Sequence, residues 1–137
     1  MEFNHFLTSY MPNVNIGSKV HFENMLKESV LAEKCGYATV SIPEHHLINL
    51  LMMPSPLQMA VKIASITKKI NITTGIVVLP IHDMRTYAGE VTTADILTDG
   101  RLILGVGRGA FPWEMERLGT PIETSKEKFV ESLEVLQ

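Results

Sequence analysis

Glu44, His45 and His46 stand together where an apolar run, Ala38 to Ile42, gives out. A carboxylate beside two imidazoles is the equipment of proton transfer near neutral pH, and of metal ligation. In parallel α/β proteins such chemistry collects at the carboxyl ends of strands. Successive strand residues face opposite sides, so His45 and His46 cannot both grip one ion without a kink. No HxH or HExxH spacing supports zinc. Three readings stay open: a metal site, turn histidines at the surface, or a proton donor and acceptor oriented by Glu44 or its surroundings. The strand-end position favours the last.

A second strand end, Gly105-Val106-Gly107-Arg108-Gly109, removes side chains where a flat or phosphorylated ligand could approach the backbone, and Arg108 adds a fixed positive charge. With Ala110 it formally matches GxGxx[G/A]. That fingerprint belongs on a first strand and opens a helix directly, whereas Phe111-Pro112 interrupts here. Thr73-Thr74-Gly75 places two hydroxyls and a bare backbone inside an apolar strand, which marks either a close approach by a ligand or a plain β-branched strand. His5, His21 and His82 carry no supporting pattern.

The elements that must position these residues alternate. A strand is expected over residues 2–9. Ser18 can cap a helix of about 17 residues with Phe22, Met25, Leu26 and Val30 on its apolar stripe, closed by Gly36. Tyr37 to Ile42 is a second strand. Ser55, Pro56 and Gln58 open a second helix, with Leu57, Ala60, Val61 and Ala64 as its narrow apolar face. Asn71 to Leu79 is a strand apolar on both faces, as in a parallel sheet, and Pro80 ends it. Met84 to Leu97 is helical, with Tyr87, Val91 and Ala94 on one side, and Asp99-Gly100 is a turn. Leu102 to Val106 is the fourth strand. Thr124 and Glu127 form a capping box for a last helix carrying Phe129, Leu133 and Leu136. Four βα units imply a parallel sheet, as an open doubly wound fold or as part of a (β/α)8 barrel. Four strands cannot close such a barrel, and the pattern runs out within a helix. The expectation is therefore an α/β half-barrel or truncated barrel: four units of a TIM-type barrel forming a single domain over 1–137. Its uncovered strand edge and sheet face should pair with another copy.

Composition narrows the function classes. The chain has 137 residues, enough for one domain with a core. Its net charge is −3 and its 12 Lys and Arg residues are scattered, unlike a nucleic-acid footprint. No apolar run reaches the ~18 residues of a membrane span, and no signal peptide opens the chain. The lone cysteine, Cys35, excludes an internal disulfide and sits in a helical pattern, where a buried core thiol is expected. A cytoplasmic setting follows from these features.

In order and in register, MEFNHFLTSYMP, EHH, NITTGIVVLP, TDGRLILGVGRG and MERLGTP resemble the bacterial luciferase-like flavin monooxygenase family across essentially the whole chain. The resemblance implies the first half of a (β/α)8 barrel that holds reduced FMN at the strand ends, uses O2, and oxidises a small apolar substrate such as an aldehyde. Some relatives use F420 instead. It implies that His45 is the catalytic base and that Glu44 is its partner in the flavin pocket. Gly75-Ile76 matches a non-proline cis peptide beneath the flavin ring. Phe6 matches an aromatic at the pocket floor, Gly107 a residue packed against the ring, where luciferases carry a reactive cysteine, and Arg108 a residue near the flavin's polar end. Lys126 falls where luciferase has an arginine near the phosphate. A flavin reductase is an implied partner. A non-catalytic flavin-binding or assembly protein is the alternative.

Overall fold

The computed structural model describes residues 1–49 and 51–137. Four parallel strands form its sheet in the order β1 (Asn4–Phe6), β2 (Thr39–Ile42), β3 (Asn71–Thr74) and β5 (Leu102–Ile103). The register aligns Asn4 with Thr39, Thr39 with Asn71, and Ile72 with Leu102. Between strands run α1 (Ser18–Lys34), α2 (Pro56–Ala64) and α3 (Met84–Leu97). A short α4 (Pro112–Arg117) and α5 (Ser125–Leu136) follow the last strand. This is the expected alternation of βα units, and the sheet strands pair in parallel; isolated antiparallel bridges join Tyr10 to Leu51 and His45 to Met53.

The third and fourth strands are each broken in two. β3 resumes as β4 (Val77–Val78) after a cis Gly75–Ile76 bond, and β5 resumes as β6 (Val106–Gly107); β4 and β6 pair with each other. Unbroken strands over Asn71–Leu79 and Leu102–Val106 are therefore not what forms. At the break the Gly105 carbonyl leaves the regular ladder and accepts from both the Thr74 hydroxyl at 2.7 Å and the Val77 N–H at 2.8 Å. Tertiary hydrogen bonding thus overrides the strand propensity of both segments.

The interior is apolar. Leu7, Met25, Val40, Ile42, Ile63 and Ile72 form one buried cluster, and Leu57, Val77, Leu79, Met84 and Tyr87 a second. Phe129, Leu133 and Leu136 of α5 close over the second cluster, as their spacing predicts. Several local expectations change. The N-cap of α1 is Gly17, at φ 79, so Ser18 is the first helical residue rather than the cap. The helix buries His21, Met25, Ser29 and Ala32, leaving Phe22 and Leu26 only partly covered. Cys35 is exposed, not buried, because it is the C-cap of α1, where the chain leaves the packed face. Ser55 is the N-cap of α2 by position but makes no side-chain cap bond. The Thr124–Glu127 box also does not form: Thr124 has helical dihedrals and its hydroxyl donates to the Pro121 carbonyl at 3.0 Å.

Polar ties hold the amino-terminal ends of the strands. The Arg101 guanidinium, just before β5, donates to the carbonyls of Ala64, Ile70 and Thr98 and to the Thr67 hydroxyl. One oxygen of Glu33 accepts the backbone N–H groups of Lys68, Lys69 and Ile70. These ties stabilise one end of the sheet and leave the other free for chemistry. Phe3, Phe6 and Ile103, near the two sheet edges, are 60%, 53% and 47% exposed.

Candidate functional site

Two residues beyond β2, Glu44 turns inward and is 3% exposed. Its Oε2 accepts the Val78 N–H at 2.6 Å. Its Oε1 lies 3.0 Å from His46 Nε2 and 2.8 Å from His82 Nε2. Burial raises the carboxyl's pKa, but the bonds from His46, His82 and Val78 outweigh it and leave the group below its ordinary value. His46 is held above its ordinary value, chiefly by its hydrogen bond to Glu44 and despite some burial. His82, which showed no pattern in the sequence, is thus part of this site. Its ring stacks on Tyr87 with centroids 3.8 Å apart.

His45 has different neighbours. Its backbone N–H bonds the Met53 carbonyl at 2.9 Å, which fixes the turn. Its ring meets Phe111 edge-on with centroids 5.5 Å apart. The nearest acid to its Nδ1 is Glu114 Oε2, at 3.7 Å; Nδ1 is buried and has no hydrogen-bond partner. Glu114 itself is 5% exposed, and its other oxygen accepts the His46 N–H. It sits on α4, a helix not expected from Phe111-Pro112, which in sequence reads as an interruption. The signal available was Pro112, a residue suited to a first helical position.

A cavity of about 220 Å³ opens in front of His45, lined by Glu44, Gly75, Ile76, Arg108, Phe111 and Glu114 among others. The glycines next to this cavity are packed tightly against the rest of the protein. A Cβ on Gly105 would strike the Thr74 carbonyl oxygen, and one on Gly107 would strike the end of the Ile76 side chain. A Cβ on Gly75 would lie 3.3 Å from Ser41 Cβ and 3.9 Å from Phe6 Cε2, so Phe6 abuts the same platform from β1. The fold therefore brings His45, Glu44, Gly75, Ile76 and Arg108 to one cavity, with Phe6 and Gly107 packed behind it. Lys126, exposed on α5, is not among the residues lining that cavity. Among the described residues no group of three or more His, Cys, Asp or Glu side chains is placed to hold a metal ion.

Comparison with known proteins decides the family. The luciferase-like monooxygenase model matches residues 1–137. This chain belongs to that family. An uncharacterized protein of Sinorhizobium fredii is 32% identical over 136 residues, covering 99% of this chain and 39% of its own length. The oxygenase component of flavin-dependent trigonelline monooxygenase from Acinetobacter baylyi is 33% identical over 97 residues, 71% of this chain and 27% of that one. The oxygenating constituent of 3,6-diketocamphane monooxygenase from Pseudomonas putida, solved with FMN, superposes with a TM-score of 0.91 at 23% identity. That match covers 99% of this chain and 39% of the other. The chain thus spans about two fifths of the length of these relatives at most.

Proposed function

We propose that this chain forms the strand-end half of a site for reduced FMN, in a monooxygenase that uses O2 to oxidise a small apolar substrate such as an aldehyde. The observation that carries the reading is the convergence of His45, Gly75, Ile76 and Arg108 on one cavity. Gly75 puts no side chain into the cavity, so a flat ring can approach the backbone there, and a buried imidazole nitrogen without a partner suits a group that handles protons. Reduced FMN would supply the electrons that activate O2 for transfer of one oxygen atom to the substrate.

The chain's own residues would divide the remaining work. Gly75 and Ile76 present the platform, backed by Phe6 and Gly107. Arg108 offers its cation to the flavin's polar groups, and Lys126 to the phosphate. His45 takes and returns a proton at its imidazole. Glu114, 3.7 Å from Nδ1, orients His45 from that side. Glu44 holds the Val78 N–H and so keeps β4 against the end of β2. The apolar walls around Phe111 and Ile76 keep water from the reacting centre.

The same reading takes residues 1–137 as one domain working in the cytoplasm. It adds a flavin reductase as electron source and a second copy of the chain across the exposed sheet or helices. F420 in place of FMN, or flavin binding without turnover, are the alternatives. Fluorescence titration with FMN and with F420, followed by oxygen uptake with reduced FMN and an aldehyde panel, separates them. The test uses this chain and a form extended to the relatives' length. Quenching by FMN and aldehyde-dependent oxygen uptake are expected in the extended form. Quenching without uptake supports the non-catalytic alternative, and absence of quenching in both forms sinks the flavin reading.

A further inference from the structure

Glu44 belongs to the walls of two cavities. One is the candidate flavin site. The other, of about 990 Å³, lies between α2 and α3 and is lined by Glu44, His82, Tyr87, Glu90 and Gln58 among others. Between the cavities a single carboxylate oxygen receives two imidazoles. His46 and His82 both present Nε2 to Glu44 Oε1, at 3.0 and 2.8 Å, and their ring centroids are 6.4 Å apart. A carboxylate oxygen only accepts, so both rings must carry hydrogen on Nε2. With both rings neutral the cluster bears the carboxylate's charge alone, and one added proton balances it. A second added proton puts two cations a few ångströms apart beside one anion, which is strongly disfavoured.

We propose that His46, Glu44 and His82 are a shared-proton clamp between the two cavities, with His82 as the positioning residue on the groove side. The clamp holds one exchangeable proton in addition to the two Nε2 hydrogens; because both Nε2 atoms already carry hydrogen, that proton enters at the Nδ1 of one ring or the other, and the single imidazolium so formed is balanced by Glu44. Tyr87, stacked flat on His82, fixes the ring plane, so that Nε2 cannot swing away from the carboxylate. The other groups that face the cluster favour retention of that proton. Glu114 from α4 acts on His46. Glu90 from α3 lines the groove, and Ser55 and Gln58 on the α2 side are uncharged. The Val78 N–H from β4 occupies Oε2 and so directs both rings to Oε1. The consequence for proton supply to the flavin site rests on the function proposed above; the clamp itself does not.

The test is nitrogen-detected NMR of histidine in the wild-type chain from pH 4.5 to 9. The expected result is Nε2–H tautomers for both rings, with the cluster taking up its two protons in separate steps. His82→Gln keeps a donor to Glu44 and removes one titrating ring, and should reduce the cluster's uptake to a single step seen at His46. Glu44→Gln should merge the behaviour of the two rings and lose the Nε2–H preference. Nδ1–H tautomers in the wild type, or two protons taken up independently and unaltered in shape by Glu44→Gln, overturn the proposal. The wild-type measurement decides even if a variant fails to fold. FMN titration of the same samples reports on the flavin reading separately, because the tautomers and uptake steps need no bound flavin.

Discussion

At the scale of single residues, two histidines adjacent in sequence have unlike surroundings. His45 lines a cavity and keeps a buried Nδ1 without a hydrogen-bond partner, whereas His46 is locked onto Glu44. In a form extended to the relatives' length, the proposed proton role predicts that His45→Ala lowers oxygen-dependent turnover by about 10²–10⁴-fold with little change in FMN affinity; unchanged turnover refutes that role. Glu114→Gln should keep the bond from the His46 N–H while removing the charge beside His45. The pH–rate profile should then shift with a smaller loss of turnover than in His45→Ala, and an unmoved profile removes Glu114 from the mechanism.

The Glu44–His46 pair also sets a stability window. Glu44 is lowered on folding from 4.5, so its contribution is present above that value and fades as pH falls through the depressed folded one. His46 is raised from 6.5, so its contribution is complete below that value and fades as pH rises through the folded one. Both act together between 4.5 and 6.5. Thermal melts should therefore show an acid and an alkaline decline, and His46→Gln should flatten the alkaline limb. Glu33, also lowered on balance although burial opposes the shift, adds to the acid limb through its three backbone bonds.

At the scale of elements, the two broken strands are the informative departure. Gly105 and Gly107 look alike in sequence but stand against different neighbours. A Cβ at 105 meets backbone, which cannot move without parting β3 from the β5–β6 break, whereas one at 107 meets a side-chain tip. Gly105→Ala should cost more than about 2 kcal/mol in chemical denaturation. Gly107→Ala should cost less, but should weaken FMN binding by displacing Ile76; equal destabilisation would contradict this account. The opposite end of the sheet offers a control. Arg101→Ala strips donors from three carbonyls, for about 2 kcal/mol and a Tm loss of roughly 5–10 °C, without altering flavin titration.

At the scale of the whole molecule, the sheet is an arc with two free edges among the described residues, and apolar side chains near both are exposed. Such edges recruit another chain. Size exclusion of the chain as it stands should show self-association, and a compact monomer at all concentrations would argue against it. No described helix is long and apolar enough to cross a membrane.

The alternation of strands and helices, the parallel sheet and the EHH strand end were legible because they rest on local periodicity and on residue types with narrow uses. The α3 boundaries, Met84 and Leu97, and the Asp99-Gly100 turn follow from nearest-neighbour preferences alone. His82 and Glu114 were invisible for the opposite reason. They reach Glu44 and His46 from 38 and 68 residues away, and only packed strands and helices bring them there. The exposure of Cys35 and the breaks in the two strands were decided at the same level. A helix cap and a ladder hydrogen bond each depend on where the rest of the chain lies, and no run of neighbouring residues encodes that position.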